Sequence, residues 1–304
     1  MTNKNFSAVK GKERTFIFLM LLIPALNWLV FWLYVNISSF VLAFQNMRGE
    51  WSLTNFVTFW DQLTSPYGDT IGLALKNTLL YFANNLLIIF PVSVIISYFF
   101  YKHILFYKGF RIIFFLPAII SGVAMVGVYY AFIQPTGPLG AICDWLGIEY
   151  TDSLLNSPMT ATPTILVYCI WTGFSTNVIL ASSAMSRIPT EVLEAAKLEG
   201  CGPFRELVQI VLPLTWSTLN TLLVFILTGV FNASGPILLF MPDGGSETTT
   251  ISFWIFKQVY GNGALGGTKN YGLVSCAGLC FTAVGVPVIL FIRKLFEKIP
   301  GVEY

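Results

Sequence analysis

The sequence predicts an all-α integral membrane protein with six transmembrane helices and both termini in the cytoplasm. Three observations carry this: a deficit of charge, six long apolar runs, and a one-sided distribution of Lys and Arg. Of 304 residues, 55% are hydrophobic and only 11% charged, where a soluble domain carries about 25% charged residues. The mean hydropathy is +0.72. Apolar runs cover about 15–44, 74–101, 110–133, 162–185, 213–234 and 271–296. Each is long enough to cross a hydrocarbon core of about 30 Å, which takes about 20 residues of helix. All 15 acidic residues lie outside the centres of these runs, as expected where a mid-bilayer charge costs about 2.5–3.5 kcal/mol.

Orientation follows from the basic residues. Lys4, Lys10, Lys12, Arg14, Lys102, Lys108, Arg111, Arg187, Lys197, Arg205, Arg293, Lys294 and Lys298 fall on one side. Only Arg48, Lys76, Lys257 and Lys269 fall on the other. The richer side is read as cytoplasmic. The formal net charge of +2 is spread in small groups, which argues against a nucleic-acid partner.

Taken in order, the first run follows Lys10, Lys12 and Arg14 and is far longer than the apolar core of a signal peptide, so it reads as a retained helix. The loops at 45–73, 134–161 and 235–270 fall outside and are long enough to meet a soluble partner. Cys143, Cys169, Cys201, Cys276 and Cys280 form no framework, and Cys276 and Cys280 lack neighbouring His, Asp or Glu for a metal site. His103, the only histidine, sits between Lys102 and Lys108 in a short loop. One domain, 1–304, accounts for the chain.

The fourth and fifth runs are joined by a cytoplasmic loop, 186–212. In it, Thr190 is placed to cap a helix whose first turns carry Glu191 and Glu194. Gly200 supplies a left-handed stop. Gly202-Pro203 restarts a second short helix, with proline at its first position, running from Phe204 to Val211 and ending at Leu212-Pro213. The product is a helix–turn–helix at the membrane face. Loops of this kind also lie passively on the lipid interface.

The spacing is more specific than the shape. Glu194-Ala195-Ala196, three residues, Gly200, nine residues, Ile210, one residue and Leu212-Pro213 resembles the EAA-x3-G-x9-I-x-LP signature of ABC importer permeases. Arg111-Ile112-Ile113-Phe114-Phe115-Leu116-Pro117, Ile188-Pro189, Gly200-Cys201-Gly202-Pro203-Phe204 and Tyr271-Gly272 are similar to features of the carbohydrate-uptake (maltose/oligosaccharide) group. So is Phe231-Asn232 followed by Gly244-Gly245 and Thr249, although Ser246 stands where that group has proline. Cys201 replaces the usual alanine, and Glu199 the commoner aspartate. The resemblance covers most of the chain.

It implies the type I ABC importer permease fold in a bacterial cytoplasmic membrane. The ATPase-docking residues would be Glu194, Ala195, Ala196, Gly200, Gly202, Pro203, Ile210, Leu212 and Pro213. Substrate-lining residues carry over to Trp171, Thr172, Gly173, Thr176, Asn177, Phe231, Asn232 and Ser234, an aromatic and hydroxyl/amide set that suits a sugar. Polar groups within spans also hold helices together, and Asn84, Asn85 and Asn220 are read first in that role. Implied partners are a second homologous permease, two ATPase subunits, an extracellular or periplasmic sugar-binding protein, and the carbohydrate itself.

The chain is not expected to be an enzyme. The glycine-rich Gly261–Asn270 stretch has no G-x4-G-K-[ST] register. No cofactor is expected, and ATP with Mg belongs to partner subunits. No Ser/His/Asp set or paired carboxylate lies within the spans, which disfavours a proton-coupled carrier or an intramembrane hydrolase; a secondary carrier or channel whose docking-loop resemblance is accidental stands as the second reading. Glycerol phosphate or another polyol is an alternative cargo, disfavoured by the sparse charge of the spans.

Overall fold

The computed structural model describes residues 3–65, 71–231, 236–242, 245, 247–260 and 270–298, with side chains from residue 13 onward. The apolar runs form long helices: α1 (Glu13–Ala43), α3 (Ile71–Tyr101), α7 (Pro158–Met185), α9 (Pro203–Thr228) and α12 (Tyr271–Glu297). Shorter helices fill the connections: α2 (Thr54–Thr64), α4 (Tyr107–Ile119), α5 (Gly122–Ile133), α6 (Pro138–Leu146), α8 (Thr190–Leu198), α10 (Ile237–Phe240) and α11 (Ile251–Tyr260). The helix of α1 extends back to Asn3. The only strand-like pairing among the described residues is an isolated bridge between Gln45 and Trp51.

The third run departs from the single straight helix expected over 110–133. Tyr107–Ile119 and the following run Gly122–Leu146 meet at 110°. Pro117 sits inside the last turn of α4 and Ile120 is extended at ψ 143°. Proline removes a backbone donor and disfavours helix in its neighbourhood. Ser121 then caps α5 by accepting from the Ala124 amide at 3.3 Å. A stop and a new start two residues apart produce the corner.

The fifth run also shifts. The helix does not pause at Leu212-Pro213 but continues from Pro203 to Thr228. Just before Pro213, residues Leu207–Val211 widen into a π-helical turn. A proline ring clashes with the carbonyl four residues back, here Gln209, and the wider turn takes that carbonyl out of the tight helical geometry. Similar π turns occupy Leu29–Tyr34 in α1 and Asn85–Ile89 in α3.

Packing divides into three apolar clusters. At one end, Val94 and Tyr98 of α3 meet Ala181 and Met185 of α7, Ile188 of the following loop, and Val211, Leu219 and Leu222 of α9. Toward the other end, Tyr81, Met125, Ile165, Tyr168, Ile237 and Phe253 form a second cluster. A third ties Ala43 and Phe59 to Ile71, Ala74, Trp254 and the start of α12. In this third region the buried Asn55 amide donates to the carbonyls of Ala43 at 3.0 Å and Gln45 at 2.8 Å, satisfying the exit of α1. Among the described residues, α1 packs against α12 through its end, Val35–Ala43, and its apolar side chains from Phe16 to Tyr34 are largely exposed.

Candidate functional site

The 188–213 segment is anchored before it projects. Met185 and Ile188 are buried in the first cluster, and Pro189, at ψ 137°, turns the chain into α8. Pro189 occupies the cap position, so Thr190 is the first helical residue and makes no side-chain cap, contrary to the capping role expected for it. The Val192 amide instead reaches the Pro189 carbonyl at 3.3 Å.

The far end of α8 closes as expected. Gly200 has φ +77°, a left-handed conformation that costs other residues about 1–2 kcal/mol. Its amide donates to the Lys197 carbonyl at 3.0 Å, and the Cys201 amide to the Ala196 carbonyl at 3.0 Å. Together these form a Schellman closure. Gly202 then leads into α9, which has Pro203 at its first position.

Exposure sorts the expected docking residues. Glu194, Ala195, Gly200, Gly202 and Pro203 lie on the surface, whereas Ala196 is buried and Leu193 packs α8 against the first cluster. Ile210, Leu212 and Pro213 are half-buried within α9, with Leu212 against the first cluster. Two residues outside the motif complete the projecting tip: Leu198 is 91% exposed and Phe204 79% exposed. Apolar side chains presented this fully beside a rigid turn form a surface suited to another protein.

A second site lies deeper. A cavity of about 450 Å³ opens between α3, α7 and α9. Thr172, Gly173, Thr176 and Asn177 of α7 line one wall, as their shared helical face requires. Leu222, Phe225 and Ile226 of α9 supply an apolar wall. Tyr81, Asn84, Asn85 and Ile89 of α3 supply the third. Among the described residues, none that line it carries a charge. Gly173 permits the close approach of α3: a Cβ there would lie 2.9 Å from Ile89 Cδ1.

The structure does not bring Trp171 or Phe231 to this cavity. Trp171 points off the lining face, toward Tyr129 and Tyr168, each at 6.3 Å between ring centroids. Phe231 follows the turn that ends α9 and stacks on Phe281 at 5.7 Å in a separate apolar groove of about 720 Å³. Asn232 and Ser234 lie outside the described residues, as do residues 261–269 with nearly all of the glycine-rich stretch.

Asn84 and Asn85, read from sequence as packing groups, face the cavity together with Tyr81, which that reading did not single out. Among the described residues, the buried Tyr81 hydroxyl has no hydrogen-bond partner, and Asn84 reaches the Leu166 carbonyl at 3.5 Å. The signal available was their spacing: positions 81, 84 and 85 share one face of a helix. Asn220 lies elsewhere on α9, its buried amide oxygen unpartnered among the described residues.

The chain matches no family model. Over 303 residues it is 27% identical to the polygalacturonan/rhamnogalacturonan transport system permease protein YteP of Bacillus subtilis, spanning 95% of this chain and 90% of that one. It is 30% identical over 248 residues to the probable ABC transporter permease protein MG188 of Mycoplasma genitalium, spanning 76% and 70%. Its fold superposes, with a TM-score of 0.80 and 23% identity, on a chain of a bacterial ABC transporter involved in the import of the acidic polysaccharide alginate, covering 96% of this chain and 99% of that one.

Proposed function

Because this chain belongs to the permease family of sugar-importing ABC transporters, we propose that α8 and the turn after it receive an ATPase subunit, and that the cavity passes a sugar. The protein is a multi-pass component of the bacterial inner membrane and not itself an enzyme. The observation that carries the docking assignment is the tip itself. A rigid short helix, closed by Gly200 and packed through Leu193 and Ile188 on the first cluster, presents Glu194 and Leu198 outward, with Phe204 of α9 exposed across the turn. Such an element transmits a push as a rigid body.

In this reading the loop end of the molecule, with both termini, faces the cytoplasm. A second homologous permease, two ATPase subunits and an extracellular or periplasmic sugar-binding protein complete the machine. Hydrolysis of ATP with Mg takes place on the partner subunits. A solved relative, the bacterial alginate ABC transporter in complex with its pentasaccharide-bound periplasmic protein, supports the expectation of a binding-protein partner. The uncharged, amide- and hydroxyl-bearing cavity favours a neutral oligosaccharide over a phosphorylated polyol.

The test is reconstitution with ATPase subunits and binding protein in proteoliposomes. Glu194→Ala and Gly200→Pro are each expected to lower ATP-driven uptake of a labelled neutral oligosaccharide by at least about tenfold, a barrier change of about 1.4 kcal/mol. Uptake at the parental rate in both variants would sink the docking assignment. The cavity is tested separately. Asn85→Leu and Asn177→Leu each remove hydrogen bonds worth about 0.5–1.5 kcal/mol, so each should slow uptake by roughly two- to tenfold while binding-protein affinity for sugar stays constant. Equal transport in both would place the sugar path elsewhere.

A further inference from the structure

We propose that Tyr98, Lys102 and Glu206 form the strut through which the docking loop drives α3, and with α3 the cavity wall. This rests on the reading of α8 as the ATPase-docking helix. The Lys102 ammonium lies 2.6 Å from Glu206 Oε1 and 2.7 Å from Oε2. The Glu206 side chain is only 3% exposed. Tyr98 places its hydroxyl within hydrogen-bonding reach of the Pro203 carbonyl at 3.0 Å and of Glu206 Oε1 at 3.3 Å. Lys102 also lies over the Tyr98 ring, 5.8 Å from its centroid.

The ion pair and the Tyr98 hydrogen bonds join the end of α3 to the first turn of α9. That turn begins at Pro203, three residues after the left-handed Gly200. The attachment is therefore made where a displaced docking helix would pull first.

Stability alone does not explain why ions stand here. Apolar side chains of similar volume replace a buried ion pair with little loss and often some gain in stability. A hydrogen-bonded ion pair instead fixes direction and register between two helices. The apolar cluster around Val94, Met185 and Val211 supplies adhesion, and the strut supplies alignment.

The two helices it aligns each carry a π turn, Leu207–Val211 directly after Glu206 in α9 and Asn85–Ile89 farther back along α3. Asn85 itself faces the cavity, about 25 Å along the helix from Lys102 at 1.5 Å per residue. A shift of the docking loop thus reaches the cavity wall through one continuous helix, gripped at its end by a charged clamp.

The experiment uses the complete transporter in proteoliposomes, with the five native cysteines replaced by alanine and Thr176→Cys as a reporter in the cavity. A charged, membrane-impermeant methanethiosulfonate reads access to that cysteine, without nucleotide and after trapping with ATP and vanadate. In the parent complex trapping should change the labelling rate. Three variants follow: Glu206→Gln, Tyr98→Phe, and Lys102→Met with Glu206→Met, the pair leaving no buried charge alone. Each should keep hydrolysing ATP while the nucleotide-dependent change in labelling shrinks, by about five- to a hundredfold for the double variant and least for Tyr98→Phe. Variants that keep the full change would overturn the proposal, as would a loss of labelling change only in proportion to lost hydrolysis. A parent complex with no nucleotide-dependent change would instead overturn the docking assignment beneath it.

Discussion

Replacing Leu198 and Phe204 by aspartate is expected to strip the ATPase subunits from the purified permease. The two side chains stand on either side of the left-handed turn, 91% and 79% exposed. An apolar side chain at the centre of a protein interface is commonly worth about 2 kcal/mol. Losing both, and placing charges where water is excluded, should weaken association on the order of a thousandfold. Co-purification on a tag carried by the ATPase subunit reads this directly, and titration of fluorescent subunit onto nanodisc-held permease gives the affinity. Neither substitution touches a buried residue, so the permease should elute and melt as the parent does. Unchanged co-purification would remove the tip from the interface.

The second large effect belongs to the opposite end. Asn77, buried on α3, donates through its side-chain amide to the carbonyls of Glu247 at 2.7 Å and Thr249 at 2.9 Å. At the next residue, the Thr78 hydroxyl accepts from the Ile251 amide at 3.0 Å. The three threonines 248–250 are wholly buried. Their irregular backbone cannot satisfy itself within a helix, so α3 supplies the missing partners. Asn77→Leu removes both bonds and leaves polar backbone beside an apolar side chain. Each lost partner costs about 1–3 kcal/mol, so the variant should lose roughly 2–5 kcal/mol and unfold well below the parent in a detergent melt. Asn77→Asp, which keeps the shape but offers no amide donors, should be no better than leucine. A melt within a degree of the parent for both would show that the segment is held by its apolar neighbours alone.

Long-range composition made the helices legible. Five of the six apolar runs recur as single helices with ends shifted by a few residues, and by ten at the start of α9. The reason is that bilayer thickness alone sets their length. The corner at Ile120 was less visible, because Pro117 occurs within an unbroken apolar run and hydropathy is blind to direction. In the 188–213 loop, Gly200 was readable because only one backbone conformation closes a helix that way. Thr190 was not, since Pro189 also competes for the cap and wins by its fixed φ. The cavity wall contributed by Tyr81, Asn84 and Asn85, and the pairing of Lys102 with Glu206, depend on residues about a hundred positions apart meeting in space. Spacing within one helix carries no record of that.

The π turn at Asn85–Ile89 has a consequence for how such a gene can change. A π turn is equivalent to one residue inserted into an α-helix, and each residue turns the helix by about 100°. Deleting a single codon within 85–89 would restore a plain helix and rotate Tyr81 and Asn84 away from the cavity, relative to Val94 and Tyr98 in the first cluster. Point substitutions can tune this wall gradually, but a one-codon deletion would erase it at once while leaving hydropathy and span length intact. Frame-preserving indels in this short window should therefore be rejected by selection far more strongly than any change in apolar character.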